Sequence, residues 1–248
     1  MIKSKISENF YKYCFPPKPD DHYGYNIYAL ISNKRALLID TGYEEHALVV
    51  KEDLLSLGIE PVKVIISHFH DDHTYGLHEL EKIEIYGSSK YIETLNLYTS
   101  KEKHELFTPT YVVDNSLSFK FGDFDIELLE VPGHAECGLF TVIDKKFIHI
   151  GDDLMSTNEG LSILPSVEFG RIYDHIKSLE KLKEFRSHIF LQSHGKIIDG
   201  TINLFEIENR LKYLKAVYES SKPISYELAT KYCECPFLHE EWHNYFYE

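Results

Sequence analysis

The order of apolar and polar positions changes period several times along this chain. Residues 25–32 (YNIYALIS) and 35–40 (RALLID) are short apolar runs broken at Asn33-Lys34, which predicts two strands and a turn. Residues 44–58 (EEHALVVKEDLLSLG) carry apolar side chains at helical spacing, with Gly58 as the stop. Residues 62–67 (VKVIIS) form a continuous apolar run of strand length, as in a strand buried on both faces. A short strand at 83–87 follows, then a helical stretch to about residue 103. Next, TYVVD, LSFKF, FDIELLEV, LFTVID and KFIHI make a strand-rich series with turns at Asn115, Gly122-Asp123 and Asp144-Lys145. A helix pattern covers residues 170–186, HIFLQS (188–193) reads as a strand, and 201–221 reads as a long amphipathic helix. The tail after Pro236 is aromatic and has no clear period. Strand pairs with interspersed helices thus occur twice. That predicts an α/β (α+β) fold with two sheets face to face and helices outside. One domain is expected over residues 1–248, with its core at about 25–200 and a C-terminal helix and tail over 201–248.

Composition narrows the function. A chain of 248 residues with 43% hydrophobic content can bury a sizeable core. The net charge of −14, with no cluster of Lys and Arg, argues against nucleic acid as a partner. Cys14, Cys137, Cys233 and Cys235 are too few and too scattered for a disulfide framework. The spacing of Cys233 and Cys235 is not that of a zinc ribbon. The N-terminus lacks the apolar core of a secretory signal, and no apolar run reaches membrane-spanning length. The expectation is a cytoplasmic protein with reduced thiols, acting on a small molecule, with no membrane partner. A homodimer is left open.

The densest chemistry lies at residues 68–73, HFHDDH. His and carboxylate side chains are ligands for zinc and other borderline metals. His68 and His70, two apart beyond a strand end, can turn both rings toward one point. Asp72 and His73 can turn toward a second. Four ligands on one loop crowd a single open ion but suit two ions a few ångströms apart. Further donors follow apolar runs: His134 in EVPGHAECG, Asp152 in FIHIGDD and His194 in FLQSHGK, where Gly195 allows close backbone approach.

The series DTG (40–42), HFHDDH (68–73), GH (133–134), GD (151–152) and SHG (193–195) resembles the five motifs of the metallo-β-lactamase superfamily. The resemblance spans about residues 25–200 and implies a four-layer αββα sandwich with metals at one edge of the sheets. It implies that His68, His70 and His134 hold one metal, that Asp72, His73 and His194 hold a second, and that Asp152 bridges them. Asp40 matches the structural Asp of the first motif and would orient the histidine loop by hydrogen bonding. Asp71 falls at the variable position and is expected in solvent. Asp153 ranks below Asp152 as a ligand.

The implied activity is hydrolysis by a dinuclear centre of two divalent ions, zinc first, with iron or manganese as alternatives. A bridging hydroxide would attack a small ester, thioester, lactone or phosphodiester. Asp152 and Asp72 are the candidate catalytic residues, Asp72 by orienting that hydroxide. The Asp72-His73 pair resembles glyoxalase II, lactonases and phosphodiesterases more than dinuclear-zinc β-lactamases, so a thioester or lactone is favoured. Two rivals remain: a mono-iron persulfide dioxygenase, which keeps the same H-x-H-x-D-H motif, and a non-catalytic sensor on the same scaffold. Phe69, Tyr75, Tyr43 and His149 are candidates for the pocket wall, and the loop 155–170 for its cover. HEEWH at 239–243 matches the zincin pattern H-E-x-x-H. It is set aside because no third ligand at zincin spacing follows. The segment containing it is expected to fold over the site's edge or to form a subunit contact.

Overall fold

In a computed structural model that describes residues 1–18 and 22–247, seven strands form the first sheet in chain order. They are β1 (Ile2–Ser7), β2 (Phe10–Phe15), β3 (Tyr25–Ser32), β4 (Arg35–Ile39), β5 (Glu60–Ile65), β6 (Glu84–Ser88) and β7 (Tyr111–Val113). Neighbours from β1 to β4 are antiparallel, and β4 to β7 run parallel. The second sheet is an antiparallel meander of β8 (Ser116–Phe121), β9 (Phe124–Glu130), β10 (Leu139–Ile143) and β11 (Phe147–His149). Its edge strand β12 (Ile189–Leu191) lies parallel to β11.

Alternation along each strand assigns its side chains to layers. Leu37 and Ile39 of β4 face the second sheet and join Ile126, Leu128 and Ile143 in a core between the sheets. Their neighbours Ala36 and Leu38 face outward onto α1 (Glu44–Ser56), against Val50 and Leu54. On the far side, Phe140, Val142 and Ile148 are covered by α5 (Ile172–Leu182) and α6 (Thr201–Glu219) through Leu179, Leu211 and Leu214. Burying a side chain of this size contributes roughly 1.5–3 kcal/mol. The result is the four-layer αββα sandwich.

Two regions differ from the sequence reading. The β1–β2 hairpin adds two strands before residue 25, where none was predicted. Its outer strand, IKSKIS, mixes Lys and Ser with Ile and is mostly solvent-facing, so it lacks an apolar signature. The helical stretch to about 103 is interrupted. Extended backbone at Thr99 and Ser100 ends α3 (Tyr91–Tyr98), and α4 (His104–Phe107) starts after a short 3-10 turn. Between β5 and β6, α2 (Asp71–Thr74) is a single turn. The C-terminal region, unassigned by pattern, contains α7 (Tyr226–Ala229) and a 3-10 helix over Glu240–Phe246. Among the described residues no helix is long and apolar enough to cross a membrane.

Candidate metal centre

β4, β5, β9, β11 and β12 all deliver polar residues to one edge of the sandwich, within a few positions of each strand's end. His68 and His70 follow β5. Asp72 and His73 belong to α2. His134, Asp152 and His194 follow β9, β11 and β12. Three groups of donor atoms result, each within 4.8 Å: His68, His70 and His134; His68, His73 and Asp152; Asp72, His73 and His194. The structure therefore brings all seven candidates together. Asp152 Oδ2 stands at the centre. It lies 3.3 Å from His194 Nε2, 3.5 Å from His73 Nε2, and 3.8 Å from both His68 Nε2 and His134 Nε2.

Each ring's outer nitrogen is engaged. His68 Nδ1 bonds Ser67 Oγ at 3.1 Å, His73 Nδ1 bonds Asp40 Oδ2 at 2.8 Å, and His194 Nδ1 bonds the Gly24 carbonyl at 2.9 Å. His134 Nδ1 bonds the Ser166 carbonyl at 2.5 Å. His70 is turned the other way: its Nε2 bonds Glu168 Oε1 at 3.3 Å, and its Nδ1 faces His134 Nε2 at 3.1 Å. An outer N–H given to an oxygen leaves a lone pair on the inner nitrogen, the tautomer a metal requires.

The inner atoms lack such partners. His68 Nε2, His73 Nε2, His194 Nε2 and Asp152 Oδ1 are buried without a hydrogen bond among the described residues. Orphaned buried polar atoms are rare and call for an explanation. Cations held by these donor groups would satisfy them, so the donor set fits metal binding. Charge agrees. Burial disfavours a charged imidazole, yet the carboxylates of Asp152 and Asp72 outweigh it and push His194 up to about 10. His73 is raised in the same way by Asp72, Asp152 and Asp40, against its burial. Burial and the neighbouring His70 instead push His134 down to about 4. The site attracts positive charge at its carboxylates, and a bound cation competes with those protons.

Asp40 anchors the edge. It is 1% exposed and sits in left-handed backbone at φ 59°, a conformation Asp tolerates better than most residues. Its carboxylate accepts from Ser67 N and Oγ, both at 2.8 Å, and from Ser193 Oγ at 3.1 Å, in addition to His73. Burial opposes its ionisation, but His73 and the Ser67 amide hold its pKa below the usual range. At Gly195, with φ 111°, a Cβ would stand 2.0 Å from Ser156 Oγ, so the turn after His194 has room only for glycine.

Other expectations fare differently. Asp71 is half-buried on the wall of a cleft above the cluster rather than free in solvent, and burial raises its pKa. Asp153 points behind the His134 loop, 3.5 Å from the His134 amide, and burial pushes it up to about 7. The cleft, of 280 Å³, includes none of Phe69, Tyr75, Tyr43 or His149 in its wall. Phe69 packs in the core under Gly87, and His149 is fully buried beside Ser193. The walls are Tyr23, Tyr98, Met155 and Trp242, none of which the sequence singled out individually. The loop 155–170 does reach the site through Met155 and Ser166. Glu168, also missed, ties His70 to Thr94 Oγ1 at 2.9 Å and to the Glu136 amide at 2.9 Å.

HEEWH forms no metal group among the described residues. The segment does fold over the cleft edge, where Trp242 lines the wall; Glu248 lies outside the described residues.

A sequence model of the Metallo-beta-lactamase superfamily matches residues 21–194. The chain is 26% identical over 203 residues to the Beta-lactamase-like protein 2 homolog of Caenorhabditis elegans, covering 79% of this chain and 65% of that protein. It is 23% identical over 187 residues to the Atrochrysone carboxyl ACP thioesterase of Passalora fulva, covering 71% and 50%. With the human Acyl-coenzyme A thioesterase MBLAC2 it shares 21% over 238 residues, covering 83% and 82%. The chain thus spans about two thirds of the first relative and half of the second. A solved metallo-beta-lactamase from Pontibacter korlensis shares the fold, with a TM-score of 0.69 at 14% identity over 86% of this chain and 98% of that one.

Proposed function

The chain belongs to the metallo-beta-lactamase superfamily, and from that membership and the chemistry of the site we propose that it is a metal-dependent thioester hydrolase. One observation carries the hydrolase reading. Asp152 Oδ2 stands within 3.3–3.8 Å of four imidazole nitrogens drawn from two donor sets. His68, His70 and His134 would hold one ion, Asp72, His73 and His194 a second, with Asp152 shared. When bound, divalent ions supply Lewis acidity toward a carbonyl oxygen and lower the pKa of water. The thioester follows from two relatives whose names specify thioesterases.

The chain's own residues do the positioning. Five imidazoles are locked by their outer hydrogen bonds, so the donor atoms need little rearrangement when loaded. Asp72 is the carboxylate with access: its side chain is 19% exposed against 5% for Asp152. Its oxygens sit 3.3 Å from His194 Nε2 and 3.6 Å from His73 Nε2. Burial opposes its charge, but those two imidazoles keep it ionised, so its exposed oxygen can accept a hydrogen bond from a water in the cleft and orient it.

Elemental mass spectrometry of protein purified without added metal tests the reading. About two divalent ions per chain are expected, with thioester turnover lost on chelation and restored by zinc. About one iron per chain, with oxygen uptake on a persulfide and no hydrolysis, would replace this reading by the dioxygenase one.

A further inference from the structure

We propose that the cleft selects thioesters with an apolar or aromatic acyl group, and that Trp242 sets this preference. The inference rests on the thioester reading above and specifies the acyl side of its substrate.

The cleft floor is polar and holds donor atoms of His70, Asp72, His134, Asp152 and His194. Above it the character changes to Tyr23, Tyr98, Met155 and Trp242. A smaller cavity of 50 Å³ adjoins, formed by Pro165, Val167, Tyr245 and Phe246. The two share Ser166 and Trp242. The indole therefore stands where an acyl chain, with its carbonyl over the cluster, would leave the polar floor and meet apolar wall. None of the described lining residues is Lys or Arg, and Asp71 and Asp72 face the same space. A polyanionic thiol carrier finds no ion pair with these side chains, so apolar contact is what the wall offers to tell one acyl group from another.

Trp242 is fixed in place. On its N-terminal side, Leu238 is clamped to the loop after Asp152: Leu238 N donates to the Ser162 carbonyl at 2.9 Å, and Leu164 N donates to the Leu238 carbonyl at 3.0 Å. On its C-terminal side, His243 is held by Tyr213 Oη at 2.8 Å and the Ile224 carbonyl at 2.7 Å. The His239 ring stacks on the indole at 4.3 Å, and the Tyr23 ring meets it edge-on at 6.2 Å. A wall anchored on both sides can discriminate between acyl groups, because its position does not adjust to a poor fit.

Trp242 is the chain's one tryptophan, so its emission reports occupancy without any turnover. Zinc-loaded protein is titrated with acetate, octanoate and 4-phenylbutyrate. Octanoate and 4-phenylbutyrate are expected to shift Trp242 emission and to bind at least about tenfold more tightly than acetate, given about fourfold per buried methylene. In parallel, kcat/KM is measured for octanoyl and acetyl thioesters of N-acetylcysteamine. Trp242→Ala is expected to lower the octanoyl-to-acetyl ratio roughly tenfold, with metal content unchanged. Trp242→Phe should keep most of the preference. Equal binding of octanoate and acetate, or an equal loss on both thioesters in Trp242→Ala, overturns the proposal. If octanoate binds at Trp242 but no thioester is hydrolysed, the thioesterase reading fails and the apolar site stands. If thioesters turn over without regard to acyl length, the thioesterase reading stands and the site fails.

Discussion

Two histidine-rich segments, residues 68–73 and 239–243, present similar inventories of imidazole and carboxylate, and among the described residues only the first gathers donor atoms around common points. At 68–73 the chain passes from an extended strand end into one helical turn. His68 and His70 leave the extended part on the same side, and Asp72 and His73 leave the turn toward a neighbouring point. Every outer ring nitrogen has a partner, and the inner ones converge. At 239–243 the segment is 3-10 rather than α-helical, and His239 caps it in left-handed backbone at φ 64°. With about three residues per turn, positions four apart diverge by about 120° instead of sharing a face. His243 turns inward and spends both nitrogens, on Tyr213 and Ile224. His239 stacks on Trp242 and bonds Glu241 at 2.8 Å. Residue spacing therefore identifies a metal site only together with the backbone that carries it and the partner of each outer nitrogen.

The largest effect that would sharpen this contrast is expected at the shared carboxylate. Asp152→Ala should lose one or both ions and lower turnover by on the order of 10³-fold or more, while circular dichroism shows the fold retained. Full metal content and full rate in this variant would remove Asp152 from the centre of the donor set.

A smaller effect is expected one layer out, at Glu168, whose carboxylate fixes the ring of His70. Glu168→Gln should weaken the ion held by His68, His70 and His134 by about 10–100-fold, the usual scale for a partner of a ligand. Chelator competition should show the ion at Asp72, His73 and His194 unaffected. If both ions bind as in the parent protein, Glu168 serves only to tie Thr94 to the Glu136 loop.

The contrast between these two residues also separates what the sequence carries from what it does not. Asp152, His134 and His194 were legible because each follows an apolar strand run and a glycine or serine turn. The layer order was legible for the same reason, since period-two alternation assigns side chains to faces. Glu168 was not, because 98 residues separate it from His70 and its loop has no period. Phe69 was a reasonable pocket candidate by adjacency, but an extended segment that aims His68 and His70 one way aims Phe69 the other, into the core. Trp242 reaches the cleft through pairings distant in sequence, Leu238 with the loop after Asp152 and His243 with Tyr213. The β1–β2 hairpin escaped because an exposed edge strand needs no apolar face.

On the other side of the comparison, His243→Ala should cost stability without touching metal. It leaves the Tyr213 hydroxyl and the Ile224 carbonyl short of a partner in a buried site, a loss of about 1–3 kcal/mol in denaturant unfolding. Elemental analysis should show the metal content of the parent protein.

His239→Ala is the mildest change and the most direct way to break the contrast. Its ring is outside the three donor groups, and it meets the Glu241 carboxylate, the face of Trp242 and the rings of His22 and Tyr23. Two small terms act on stability. Loss of the stack removes roughly 0.5–1.5 kcal/mol, and alanine in left-handed backbone differs only slightly from histidine, since both carry a Cβ there. Neither reaches the donor atoms, so the number of bound ions should match the parent protein. Loss of even one ion on His239→Ala would mean that the two segments build one site. The geometry of the 3-10 turn would then no longer explain why HEEWH stands apart.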